Sequence, residues 1–233
     1  MITEYGNYIS EAPDYKYEDG IMNYEVFKNE KIKILWILRE THGKFNPKKW
    51  WGDKDYLEKK IEPFDSKDKK GSKKDTWEPV AKICYKILNN KETKNEYELA
   101  STLERIAIIN LKKTSGGSKI TKKFTETVNK QENRDVFITQ IKRIKPDVII
   151  CGNTLNKIKT SEINFREVTG RSFSSKAMKK NHYFCFMNVV FINLYHPSNI
   201  SIKEDEYVNA AIEAYQHWIN NKDTENWPTL DWQ

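Results

Sequence analysis

The chain has 233 residues, 38% hydrophobic, 12% aromatic and 31% charged, with a formal net charge of +7 and a pI near 9.0. That length and apolar content fit one compact domain and exclude wholesale disorder, and no stretch approaches the roughly 20 apolar residues that span a bilayer. The basic balance fits a polyanionic partner such as DNA, although a Lys- and Asn-rich, Arg-poor composition is also what an AT-rich coding background gives.

Residues 1–30 are polar and Tyr-rich without periodicity, and are expected to form a peripheral extension of loop and short helix on a single domain spanning 1–233. Residues 31–38, mostly apolar with Trp36 inside, predict a first strand. Residues 39–74 are dense in Lys, Asp, Gly and Pro yet carry Phe45, Trp50, Trp51, Tyr56 and Phe64, and predict a long charged loop that is more than a spacer. From 77 to 89, Val80, Ile83, Cys84, Ile87 and Leu88 recur on one helical face, with Pro79 in the first turn. A short helix is predicted over 96–102, a second strand over 105–110 and a flexible basic loop over 111–119. Residues 134–144 predict a helix halted by Lys145-Pro146, 148–151 a third strand, and Asn153 the opening of another short helix. Residues 161–180 read as irregular, 183–187 and 189–194 as a pair of strands, and 205–220 as a terminal helix. Strands separated by helical connections imply right-handed crossovers. The expected fold is therefore α/β, three layers (α/β/α) around a central, mainly parallel four-stranded sheet.

Four apolar runs halt on polar, reactive residue types, and in an open α/β sheet such ends border the ligand site. The first run stops at Arg39-Glu40-Thr41-His42-Gly43 and the second at Asn110. The third, Pro146-Asp147-Val148-Ile149-Ile150-Cys151, stops at Gly152-Asn153-Thr154, and the last at His196-Pro197-Ser198-Asn199-Ile200-Ser201. In this order the four motifs resemble those of the uracil-DNA glycosylase superfamily, over residues 32 to about 202.

The resemblance implies a uracil-DNA glycosylase-like fold and an enzyme of base-excision DNA repair, which hydrolyses the N-glycosidic bond of a damaged or modified base flipped out of DNA. By that resemblance His196 stabilises the leaving base, and Asn110 reads its edge with an amide that both donates and accepts. Ser198 contacts a phosphate, Ile200 fills the gap left by the flipped base, and Gly43 closes the first motif beside the substrate. The aromatic floor under the base falls to Trp77 or, failing it, Trp51 or Phe45. Glu40, Thr41 and His42 occupy the family's water-activating motif. That motif departs from the family forms Gly-Gln-Asp-Pro, Gly-Glu-Ala-Pro-Gly and Gly-Met-Asn-Pro-Gly. Arg39 stands for the glycine, Thr41 in the third place and His42 for the proline; a Thr hydroxyl can position water but is too weak a base near neutral pH, so either Glu40 or His42 acts as the base or the activity differs.

Each residue also has a plainer reading. Asn110 is equally a strand-end turn former, the tryptophans are core-packing residues, His196 caps a strand, and Lys112–Lys119 with Ser115-Gly116-Gly117-Ser118 is either solvated or a phosphate cradle. His182 and His217 receive no role. Cys84, Cys151 and Cys185 are far apart without a Cys-x-x-Cys pair, so neither a metal or iron–sulfur cofactor nor a disulfide framework is expected. The first ten residues show no basic region followed by an apolar core, and the expected location is the cytoplasm, as a monomer without membrane contact. The altered first motif admits a second function, a catalytically inactive module that binds nucleic acid, a nucleobase or a nucleotide on the same fold. A small-molecule α/β enzyme ranks lower, for want of a Gly-x-Ser-x-Gly elbow or a Gly-x-x-x-x-Gly-Lys loop.

Overall fold

In a computed structural model the described residues are 1–10, 18–40, 77–114, 122–158, 165, 168–199 and 201–231. Among them eight strands and seven α-helices follow one another along the chain. Tyr8–Ile9 (β1), Glu18–Ile21 (β2) and Tyr24–Phe27 (α1) come first, then Ile34–Leu38 (β3), Trp77–Asn89 (α2), Glu96–Thr102 (α3) and Ala107–Asn110 (β4). Lys122–Val128 (α4), Gln131–Ile144 (α5), Val148–Gly152 (β5), Leu155–Ile158 (α6), Arg171–Ser172 (β6), His182–Cys185 (β7), Val190–Leu194 (β8) and Glu204–Asn221 (α7) complete the fold.

The strands form one mixed sheet in the order β1-β2-β4-β3-β5-β8-β7-β6. β3 runs parallel to β4 and β5, and β5 parallel to β8, whereas β1 and β2 on one flank and β6 and β7 on the other pair antiparallel. The four-stranded sheet expected from the sequence is thus corrected to an eight-stranded one. Residues 1–30, expected as loop and short helix, supply two strands to one flank of the sheet, β1 and β2, besides the short helix α1. β2 reads Glu-Asp-Gly-Ile, with no alternation to betray a strand, and is held partly by a side chain. The Asn7 Oδ1 accepts from the Ile21 N–H at 2.8 Å, and its Nδ2 donates to the Ile21 carbonyl at 3.2 Å. An amide side chain here mimics a backbone partner, an arrangement dictated by contacts distant in sequence.

β3, β4 and β5 are buried along their whole length, which explains why they read as unbroken apolar runs. Alternate residues feed two cores. Ile34, Trp36 and Leu38 pack with Val80, Ile83 and Ile87 of α2 and with Tyr207, Ala211 and Trp218 of α7. Leu35 and Ile37 face the opposite way, toward Phe137, Ile141 and Ile144 of α5 and Phe124 and Val128 of α4. Helices therefore cover both faces, and each strand's period of two meets a helical stripe of period 3.6. Trp36, fully buried, donates its indole N–H to Cys84 Sγ at 3.1 Å. Cys84 and Cys185 lie in the first core and Cys151 in the second, and burial pushes each thiol up to about 12. α5 ends where Lys145 adopts a left-handed conformation (φ 49°) and returns its N–H to Ile141.

This topology positions a site. From β3 the chain crosses to β4 over the first face, through α2 and α3, and from β4 it returns past β3 to β5 over the second, through α4 and α5. From β5 it then proceeds outward to β8. The connections after β3 and β5 thus diverge in opposite directions, and a crevice opens at the carboxyl ends of such strands in open α/β sheets.

Candidate functional site at the carboxyl edge of the parallel strands

Register brings the four motif-bearing ends side by side. Leu38 is paired with Asn110, Ile37 with Cys151, and Gly152 with Leu194, so the ends succeed one another as β4, β3, β5 and β8. Three strand spacings of about 4.8 Å separate the outer two, so the backbones at Asn110 and near His196 stand roughly 14 Å apart.

Beyond Asn110 the pairing of β4 with β3 continues for two residues, Leu111 N–H bonding to the Leu38 carbonyl and Lys112 N–H to that of Arg39, both at 2.9 Å. Lys112 and Glu40 consequently meet, Nζ to Oε2 at 2.8 Å, with side chains only 11% and 5% exposed. At that burial neither charge is solvated enough to stand alone, so each fixes the other. Glu40 is accordingly an oriented carboxylate with one oxygen committed to a cation.

Asn110 is buried, and its backbone N–H donates to Asp19 Oδ2 at 2.7 Å. Asp19, on β2 and with no exposed surface, also accepts from Lys113 Nζ at 2.8 and 3.1 Å and from Gln140 Nε2 at 3.0 Å. Gln140 donates its second amide hydrogen to the Gly6 carbonyl at 3.0 Å, and Lys113 Nζ sits 5.5 Å from the centre of the Tyr8 ring. Burial draws the Lys113 ammonium below its usual range, against the pull of the Asp19 carboxylate.

At the end of β5, Asn153 takes a left-handed conformation (φ 61°) and donates its N–H to the Leu194 carbonyl at 2.7 Å. Thr154 Oγ1 donates to the Ile37 carbonyl at 2.9 Å. Gly152 is needed for close approach: a Cβ there would stand 2.9 Å from Leu38 Cδ2 and 3.3 Å from Pro197 Cδ. The His-Pro turn is thereby pressed against the end of β3.

That turn closes through Asn199 N–H to the His196 carbonyl at 2.9 Å, and Tyr207 Oη donates to the Tyr195 carbonyl at 2.8 Å from α7. His196 Nδ1 accepts from the Ser198 N–H at 3.3 Å and lies 2.8 Å from Ser198 Oγ. With Nδ1 accepting from that amide, Nε2 is the ring nitrogen placed to carry a proton. Ser198 is exposed, and its hydroxyl is turned onto the ring. Trp77 opens α2 and packs, half-buried, on the first core. Thr41, His42, Gly43, Ile200, Phe45 and Trp51, and the Ser115-Gly116-Gly117-Ser118 stretch, lie outside the described residues.

Lys112, Lys113 and Asp19 carry no role of their own in what the sequence predicts. Lys112 and Lys113 stand in a stretch read as a basic loop, and only the two-residue continuation of β4 reveals that they point to different carboxylates. Asp19 sits in a segment without periodicity and carries no local signal. Among the described residues, a cavity of about 350 Å³ between α2, α3 and α7 and one of about 380 Å³ beside Arg171, Cys185 and Trp227 are lined by none of the candidate catalytic or substrate-binding residues. Among the described residues no three His, Cys, Asp or Glu side chains are grouped to hold a metal ion, and no helix is long and apolar enough to cross a membrane. No protein-family model matches the chain, and no curated protein sequence matches it.

Proposed function

We propose that the carboxyl edge of β4, β3, β5 and β8 receives a base extruded from DNA, and that the protein is a uracil-DNA glycosylase-like enzyme that hydrolyses the bond between that base and its sugar. The observation that carries this reading is the adjacency of the four motif-bearing strand ends in register. In the proposed reaction the C1′–N bond breaks with its electron pair passing to the base. His196 Nε2–H donates to the base oxygen on which that charge gathers. Asn110 pairs with the base edge, and Glu40, with Oε2 held by Lys112, uses its other oxygen to orient the water that adds to C1′ and to take its proton. The net charge of +7 favours the phosphates of the strand.

Oligonucleotides carrying uracil, hypoxanthine, xanthine or hydroxymethyluracil, single- and double-stranded, provide the test. An abasic site cleavable by alkali is expected with at least one of them, and His196→Ala is expected to slow its formation about 10²- to 10³-fold. Full activity in that variant would remove the imidazole from the mechanism.

A second reading is favoured by the Glu40–Lys112 ion pair, because a cation 2.8 Å from the carboxylate competes with water for it. On this reading the edge binds nucleic acid or a nucleotide without cleaving it. Salt-dependent DNA binding with no base release from any of the four substrates would select it.

A further inference from the structure

The turn that leaves β4 carries two members of the candidate site, Asn110 and Lys112, and it is gripped from outside the site by a residue of β2. Antiparallel pairing of β2 with β4 joins Gly20 to Ile108 and Ile21 to Ala107 and does not reach Asn110. At that point the Asp19 side chain takes over, accepting the Asn110 N–H at 2.7 Å and binding the Lys113 ammonium at 2.8 and 3.1 Å. Both ends of a four-residue turn are thus tied to one carboxylate without exposed surface. Between them, Lys112 emerges on the other side to reach Glu40.

We infer that Asp19 is a positioning residue for the carboxyl-edge site. Its carboxylate sets the backbone of the 110–113 turn, and through it the aim of the Asn110 amide and of the Lys112 ammonium that orients Glu40. The inference rests on the proposed function for what the site does, and on the hydrogen bonds alone for how the turn is held. It gives β2 a task in recognition. A charge-assisted bond to a backbone N–H in a dry setting is short and directional, and a displacement of about 1 Å at a reacting group is enough to cost about 100-fold in rate.

The chemistry of the pair supplies a test that separates positioning from simple charge balance. Replacing Asp19 alone strands a buried ammonium, so both charges are removed together. In D19N/K113M the new amide oxygen still accepts the Asn110 N–H, while the new amide N–H₂ replaces the oxygen that faced Gln140 Nε2; Gln140 must turn over, releasing the Gly6 carbonyl, to present Oε1, a buried atom with no hydrogen-bond partner, as its acceptor. In D19L/K113M the buried ion pair is equally absent, but the Asn110 N–H has lost its acceptor. Both proteins are purified whole and compared with wild type on a uracil-bearing oligonucleotide, by base release or, if none occurs, by fluorescence-anisotropy Kd at fixed salt. Amide hydrogen exchange of residues 110–113 is measured in parallel.

D19N/K113M is expected within about threefold of wild type. D19L/K113M is expected to lose about 10- to 100-fold in kcat/KM or affinity, with exchange accelerated at residues 110–113 and unchanged in β3 and β5. Equal function in the two double variants overturns the inference, because a purely electrostatic or structural role predicts that they behave alike. If wild type neither cleaves nor binds the oligonucleotide, the proposed function fails and the exchange data decide the inference by themselves: acceleration confined to residues 110–113 in D19L/K113M upholds the clamp, and its absence refutes it.

Discussion

The two outer ends of the parallel strands are built on opposite principles. The end of β4 is interior: Asn110, Lys112 and Lys113 are buried, and two carboxylates, Glu40 and Asp19, are committed to the lysines. The end of β8 lies at the surface, where His196 is held by Ser198 two residues away in a turn. The functional side chains of one end are fixed by partners brought from 72 to 94 residues away, whereas the His196 ring of the other is engaged by Ser198, two residues along the chain. Their difference separates two jobs that a ligand site needs, a rigid reference frame and an accessible donor. Substitutions at the first should therefore be felt mainly as stability, and at the second mainly as function.

The largest effect on stability is expected from breaking the interior end. Lys113→Met leaves Asp19 buried and short of its cation, and chemical denaturation should show a loss of about 3–5 kcal/mol. A loss under 1 kcal/mol would mean that water reaches this pair and that the contrast between the ends is false. Gly152→Ala probes the joint between them: the added methyl must displace Leu38 or Pro197, at a cost of about 1–3 kcal/mol in the same measurement. Such a change should also shift the NMR signals of the 196–199 turn. At the surface end, His196→Ala should leave the unfolding free energy within about 0.5 kcal/mol of wild type while slowing base release about 10²- to 10³-fold. A large stability loss there would make His196 a structural cap after all.

The smallest expected effect is a background against which the pH profile of the site is to be read. His217, on α7 away from this edge, has its pKa lowered, first by burial and then by the Arg171 charge. The folded protein then binds fewer protons than the unfolded chain between that lowered value and the ordinary 6.5. Stability should fall as pH drops through this window and level off below it. Thermal melts at closely spaced pH values should show the decline in wild type and a flatter curve in His217→Gln.

How much of this was legible follows from where each element finds its partners. The helices 77–89 and 96–102 fall where their apolar spacing and flanking residues place them, β4, β5 and β8 lie within two residues of the apolar runs that announced them, and β3 starts three residues later than its run. For these elements the burial face is written locally. β2 was invisible because its Glu-Asp-Gly-Ile carries no alternation and its stability comes from Asn7, Gln140 and β4. The short edge strand β6 was also missed, for two residues generate no pattern. At the site, His196 and Ser198 could be read together because their bond is local. The pairing of Glu40 with Lys112 requires knowing that β3 and β4 are neighbours, and the hold of Asp19 on Asn110 requires knowing that β2 is a strand at all.

The three sunken thiols have a practical consequence. With burial holding each near 12, none ionises in the folded protein at neutral pH, and alkylating reagents can modify them only when the surrounding structure opens. Cys84 and Cys151 lie on opposite sides of the sheet, so the rates at which they become modified clock the two layers separately. A chain with no probe attached thus already carries a stopwatch for each half of its interior.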